Sequence, residues 1–214
     1  MCGRYTMHLS PARLAETLDC PLPEEYAPDY NISPGRDILS LTENTATMMH
    51  WGHRTPHNFH INARLETADA APRFRDAWME HRCLIPANGF YEWLNDGVRK
   101  QPYYFKAPDE NLLYFAGLWF TSAAPEQLPQ CVLLTINASE SVRPVHSRMP
   151  VALPQELIND WLKRKLSKNQ VIHHAADQEY LAQTVSSRVN NPKNNDYSLI
   201  EPVLPSLDEE MQLF

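Results

Sequence analysis

The second residue of the chain, Cys2, is where its side chains and its terminus could do the most chemistry. Once Met1 is cleaved, an α-amine with pKa near ~8 and a thiol near ~8.5 sit on adjacent carbons, both partly nucleophilic at neutral pH. This 1,2-aminothiol has two uses. The thiolate can attack a carbonyl with its own amine as base, as in N-terminal nucleophile hydrolases. Alternatively the amine condenses with an aldehyde to an imine, and the thiol closes onto the same carbon as a five-membered thiazolidine, a covalent trap. Position alone chooses neither, because a residue beside a terminus ordinarily frays. Glu92 stands among Phe90, Tyr91 and Trp93, so its carboxylate either points to solvent or occupies a site that tunes its protonation. His146 carries an imidazole that titrates near neutral pH. The histidines His50, His53, His57 and His60 are closely spaced, but they match no helical or knuckle pattern of zinc ligands, and no metal or other cofactor is expected.

These groups must be positioned by short elements. Pro is 18 of 214 residues and Gly only 6, a balance that kinks chains often and argues against coiled coils and helical bundles. Ser10-Pro11 before Ala12, Leu14, Ala15 and Leu18 predicts a short helix with a Ser cap, and residues 21–34 read as loop. Residues 37–42 and 45–51 read as paired strands, and residues 72–81 as a helix with Phe74, Ala77, Trp78 and His81 on one face. Strand signals dominate the middle, at 82–85, 90–94, 103–106, 112–121 and 131–136, with Asn95-Asp96-Gly97 as a tight turn. Residues 154–166 return to helical spacing. The expectation is a single α+β domain with a mixed, largely antiparallel sheet.

Five blocks occur in one order: MCGRY at the start, YNISPG at 30–35, INARLET at 61–67, RCLIPANGFYEW at 82–93 and HSRMPV at 146–151, followed by SSRVNNPKNND at 186–196. Together they resemble the SRAP (SOS-response-associated peptidase) family, over roughly residues 1–204. The resemblance implies one SRAP-type domain, a curved, mostly antiparallel sheet with a small barrel surrounded by helices. It also implies an abasic-site sensor in single-stranded DNA that forms a thiazolidine crosslink through Cys2 and shields the lesion. Thiol autopeptidase activity that exposes Cys2, and lyase-like side chemistry, come with the family. By the same resemblance Cys2 is the crosslinking residue, Asn62 the amide that holds its amine, and Glu92 and His146 an acid–base pair. An abasic sugar is mostly a closed hemiacetal, so a carboxyl group near C1′ and O4′ can shuttle the proton that opens the ring. Arg4, Arg64 and Arg148 would grip flanking phosphates, with Ser147 and Ser186 as neutral donors. Trp51-Gly52 and Phe74 would offer faces to neighbouring bases. Two places depart from the family's pattern: HRTPHNFH follows Trp51-Gly52 where an aromatic, Pro-rich stretch is common, and Asn88 replaces the Asp of ADGFYEW.

A rival class remains, a glutamine amidotransferase of the N-terminal nucleophile type, which also begins MCG. It would serve a synthase domain, for which 214 residues leave no room. The net charge of −7 argues against polyanion binding over the whole surface, but part of it belongs to the end of the chain. Glu201, Asp208, Glu209 and Glu210 fall in a stretch without Lys or Arg. Residues 205–214 read as an acidic, mobile tail whose last five, Glu210-Met211-Gln212-Leu213-Phe214, resemble a bacterial sliding-clamp peptide. No apolar stretch approaches the ~20 residues that span a bilayer. Scattered Cys20, Cys83 and Cys131, without a CxxC pair, fit reduced thiols, the last two as small buried hydrophobes in apolar runs. The expectation is a cytoplasmic monomer, nucleoid-associated when bound to DNA.

Overall fold

The computed structural model describes residues 2–95, 97, 100–122, 124 and 126–203. The tail at 205–214, with its expected clamp-binding end, lies outside the described residues.

Five strands close into a small barrel. Asp37–Leu41 pairs antiparallel with Ala46–Trp51 on one side and meets Arg82–Ala87 at Leu41 and Leu84 on the other. Arg82–Ala87 pairs with Leu113–Phe120, which pairs with Gln130–Asn137. A short parallel match, Gln130 with His50 and Cys131 with Trp51, closes the ring. Every residue of Arg82–Ala87 is buried, without the alternation of a one-sided strand, because the barrel interior covers one face and outer elements cover the other.

A second, antiparallel sheet runs in the order Leu181–Thr184, Lys100–Lys106, Gly89–Asn95, Tyr5–Met7, Asp29–Ile32. Aromatic rings join it to the barrel. Phe90 and Phe105 face each other across two strands at 5.1 Å, Phe90 meets Phe115 of the barrel edge-on at 6.0 Å, and Tyr5 meets Trp51 at 5.4 Å. Such pairs add about 0.5–1.5 kcal/mol each beyond their buried area.

The expected strands are present with shifted ends, and the α+β class and largely antiparallel pairing hold. Ser10 caps the helix Pro11–Leu18 through the Arg13 N–H at 3.4 Å. Asn95 Oδ1 accepts the Gly97 N–H at the expected turn, whose Asp96 lies outside the described residues. Three expectations are corrected. Residues 21–34 contain the strand Asp29–Ile32, too short for its own periodicity and made by pairing with Tyr5–Met7. The helix expected at 72–81 narrows to Arg75–Glu80. The helical stretch at 154–166 is a 3₁₀ turn, Gln155–Leu157, followed by the short helix Ile158–Leu162. The sequence reading missed the helix Lys168–Ala176, although Ser167 and Gln170 close a capping box at its start. The four cysteines are free thiols, and Cys83 and Cys131 are fully buried.

Candidate functional site

Register brings the start of the chain to Glu92. Tyr5 lies opposite Phe90 and Thr6 opposite Gly89, and the Tyr91 N–H donates to the Arg4 carbonyl at 2.9 Å. Running antiparallel, the residues before Arg4 therefore reach the level of Glu92. Successive side chains of a strand alternate, so Glu92 shares the core-facing side with Phe90, and this residue is 2% exposed. Cys2 is fully buried beside it.

The other two residues arrive on one scaffold strand, Gln130–Asn137. Asn62–Arg64 runs parallel to it, with Asn62 against Leu133 and Arg64 against Thr135. Arg148–Pro150 runs antiparallel to its far end, with Arg148 against Asn137. Asn62 Nδ2 donates to the Cys2 carbonyl at 2.9 Å, while its Oδ1 is buried without a partner among the described residues. His146 Nδ1 is 3.9 Å from Glu92 Oε2, too long for a direct hydrogen bond, and lies within 3.0 Å of both the carbonyl and the N–H of Arg148. Cys2, Asn62, Glu92 and His146, far apart in sequence, thus meet at one place.

Burial sets their protonation. It pushes Glu92 up to about 7, with the charge of the terminal amine and then that of Lys100 drawing the other way. It lowers His146, so near pH 7 the pair is a half-protonated carboxyl group beside a neutral imidazole rather than an ion pair. Burial also raises the Cys2 thiol far above its ordinary range, the negative charge of Glu92 adds to this, and the Arg4 N–H at the sulfur opposes it. The thiol therefore stays protonated while Met1 is attached.

A cleft of about 370 Å³ opens from Asn62 and is lined by Arg64, Arg73, Phe74, Thr135 and Arg148. Arg64 is exposed in it, and its side chain has no hydrogen bond or ion pair among the described residues. Ser147 is also exposed. The remaining expected DNA contacts are placed differently. Arg4 is drawn inward, donating to Asn31 Oδ1 at 2.6 Å and the Val189 carbonyl at 2.7 Å, and it ties the 186–196 segment to the sheet. Ser186 accepts the Arg188 N–H and caps the turn Ser187–Asn190. Trp51 is fully buried, its indole N–H on the Ile61 carbonyl, so the base-stacking face expected there is inside the core. Gly52 is buried at φ +135°, where a Cβ would strike the Phe59 ring. Phe74 lines the cleft but is only 7% exposed.

The two departures from the family's pattern have simple outcomes. HRTPHNFH folds into the hairpin His53–Arg54 with Phe59–His60, and its Phe59 is exposed beneath the Arg54 guanidinium at 5.2 Å. The histidines there go separate ways, His50 to Asp37, His53 to Gln130 and a stack on Phe120, and His60 to Arg73. Asn88 Oδ1 accepts the His8 N–H at 2.8 Å, a job that an Asp oxygen would do equally well.

Glu66 was missed in sequence. Its carboxylate takes both arms of the Arg148 fork, at 2.5 and 2.9 Å, and Arg148 also reaches Asn137 and Thr135. Arg148 therefore clamps the strand after His146 to the helix after Asn62–Arg64, and its guanidinium is not available to phosphate. No spacing signal links positions 82 residues apart. Partial burial pushes Glu66 up, but the Arg148 bonds outweigh this and hold it below the ordinary value of 4.5. A depressed carboxylate stabilises the fold above its unfolded pKa and loses that contribution as pH falls through its folded value. Glu66→Ala should lower stability by about 1–2 kcal/mol at pH 7, given its part-exposed side, and by almost nothing near pH 2. Urea unfolding at both pH values checks this, and an equal loss at the two would show that packing rather than charge holds the clamp.

Fold and site together define a barrel protein built around its own amino-terminal cysteine. The chain belongs to the SRAP family: the model described as "SOS response associated peptidase (SRAP)" matches residues 1–192. It is 37% identical to the abasic site processing protein YoqW of Bacillus subtilis (strain 168), over 94% of this chain and 99% of that one. It is 28% identical to the abasic site processing protein YedK of Escherichia coli (strain K12), over 95% and 100% of the two chains. In three dimensions it is similar to a protein of Bacteroides thetaiotaomicron, with a TM-score of 0.82, 21% identity and coverage of 95% and 100%, a likeness of fold. Among the described residues no helix is long and apolar enough to cross a membrane.

Proposed function

We propose that the protein handles abasic sites in single-stranded DNA and captures them as a thiazolidine on Cys2 after loss of Met1. The observation that carries this is the environment of Cys2: a buried aminothiol precursor beside a carboxyl group titrating near 7, with an orphaned amide oxygen in reach. Removing Met1 turns the Cys2 nitrogen from an amide into an amine, and Asn62, already bonded to the Cys2 carbonyl, has Oδ1 free to accept its N–H. The names of the relatives support the lesion.

The amine attacks first, because the imine carbon that it makes is the one onto which the sulfur closes. Glu92 donates a proton to O4′ as the hemiacetal opens, freeing the C1′ aldehyde. The amine adds to C1′, and one water leaves with the carbinolamine oxygen, giving the imine. His146, neutral and 3.9 Å from Glu92, is placed to take and return protons in these steps. The sulfur then bonds to C1′, the C=N π electrons return to nitrogen, and the thiol proton passes by way of a base to that nitrogen, which becomes the secondary amine of the ring. Net, protein and DNA join with loss of one water.

Incubating Met1-free protein with single-stranded DNA bearing one abasic site should give a band that survives a denaturing gel, with an intact mass equal to the sum of the two less one water. Ammonia release from glutamine, without such a band, would move the assignment to the amidotransferase chemistry. Exposed Arg64 at the cleft is the residue best placed for a flanking phosphate. Arg64→Ala should weaken DNA binding at all sequences and flatten the slope of log affinity against log salt by about one or less, measured by fluorescence anisotropy. An unchanged slope would place the strand elsewhere.

A further inference from the structure

Tyr180 is a polar residue of the core that the steps above leave without a task. It is 5% exposed, and its hydroxyl is buried with no hydrogen-bond partner among the described residues. Leaving such a group unsatisfied destabilises the fold, so phenylalanine would fill the same space at less cost unless the oxygen serves a state other than this one. Two contacts fix the ring beside the site. It packs edge-on against Phe90 at 5.2 Å, on the face of the strand that also carries Glu92. Its backbone N–H donates to Ser141 Oγ at 3.2 Å, in the turn that leads to His146. The charged form of its phenol is disfavoured first by burial and then by the charge of Cys2, which puts the two side chains in electrostatic range of each other. Glu92 is the charged side chain acting on Cys2, and it opposes the thiolate.

We propose that Tyr180 is a positioning residue of the Cys2 site, whose phenol O–H donates to the Cys2 sulfur once Met1 has left and the new terminus settles. This rests on the thiazolidine reading, in which sulfur must reach C1′ of the imine as it loses its proton. A donor on the sulfur steadies the developing thiolate against burial and against Glu92, and it fixes which side of the imine the sulfur approaches. Tyr180 exchanges no electrons and keeps its own proton throughout.

The test is Tyr180→Phe, a change that removes one oxygen without a partner in this state and so leaves the fold as stable as before, or more so, by thermal melting. Alkylation of Cys2 by iodoacetamide in the Met1-free protein, followed by peptide mass spectrometry from pH 6 to 10, needs no DNA. The variant should react about threefold to tenfold more slowly at pH 7.5, with its pH profile displaced to higher pH. Capture of abasic DNA should slow by a similar factor, with unchanged DNA affinity. Superimposable alkylation profiles would overturn the proposal, whatever the DNA result. If wild-type protein makes no adduct but the alkylation profile still shifts, the thiazolidine reading fails while the contact between Tyr180 and the thiol stands.

Discussion

Cys2→Ala protein, freed of Met1, should give no denaturant-resistant adduct with abasic single-stranded DNA, a loss limited only by the detection floor of the gel. The terminal amine of this variant can still condense with the aldehyde, but without sulfur the imine hydrolyses when the DNA is denatured. Protein that retains Met1 should fail equally, for the opposite reason: its sulfur is present, but the Cys2 nitrogen is an amide and cannot attack. Cys2→Ser should give at most a product that persists only when trapped by borohydride, because a hydroxyl adds to an imine far less readily than a thiol. Stability does not confound the comparison. Deleting one buried sulfur costs about a kilocalorie per mole or little more, and the variant should fold as the parent does by circular dichroism. An undiminished adduct in Cys2→Ala would falsify the mechanism.

Glu92→Gln should slow adduct formation by about 10²–10⁴-fold with DNA affinity retained, since its proposed work is proton transfer. The pH dependence carries the sign. Capture needs the amine neutral, which favours high pH, and Glu92 protonated, which favours pH below about 7. The wild-type rate should therefore be bell-shaped with its maximum between pH 7 and 8, whereas the Gln variant, low throughout, should rise to a plateau. Stability should move the other way. Glu92 is raised from 4.5 to about 7, so the native state holds its proton more tightly than the unfolded chain does. The native fold is then favoured fully below pH 4.5 and loses that advantage as pH rises through 7, by at most about 3 kcal/mol. Glu92→Gln removes the penalty and should melt higher than wild type at pH 8 but not at pH 4. A variant that melts lower at pH 8 and crosslinks at the wild-type rate would show that Glu92 is an ordinary buried side chain.

The chemistry on offer, and the kinds of element that present it, are legible in one dimension. Cys2 beside the terminus defines an aminothiol before any fold is known, and the aromatic, branched runs around Glu92 and at 112–121 and 131–136 read as strands. Ser10-Pro11 marks a helix start by purely local capping. Order among the motif blocks is enough to carry the family resemblance, because each block is short and its internal spacing needs no partner from elsewhere in the chain. Relations between distant residues come only with the folded chain. The register of Tyr5–Met7 against Gly89–Asn95 places Cys2 by Glu92, and no local pattern encodes a register between strands more than 80 residues apart. Burial follows from it, and with burial the carboxyl group that titrates near 7 rather than near 4.5. The same holds in reverse for Trp51 and Arg148, which look available in sequence. One is enclosed when the barrel closes, and the other is taken by Glu66, because an indole finds its lowest free energy out of water and a guanidinium fork finds it on a carboxylate.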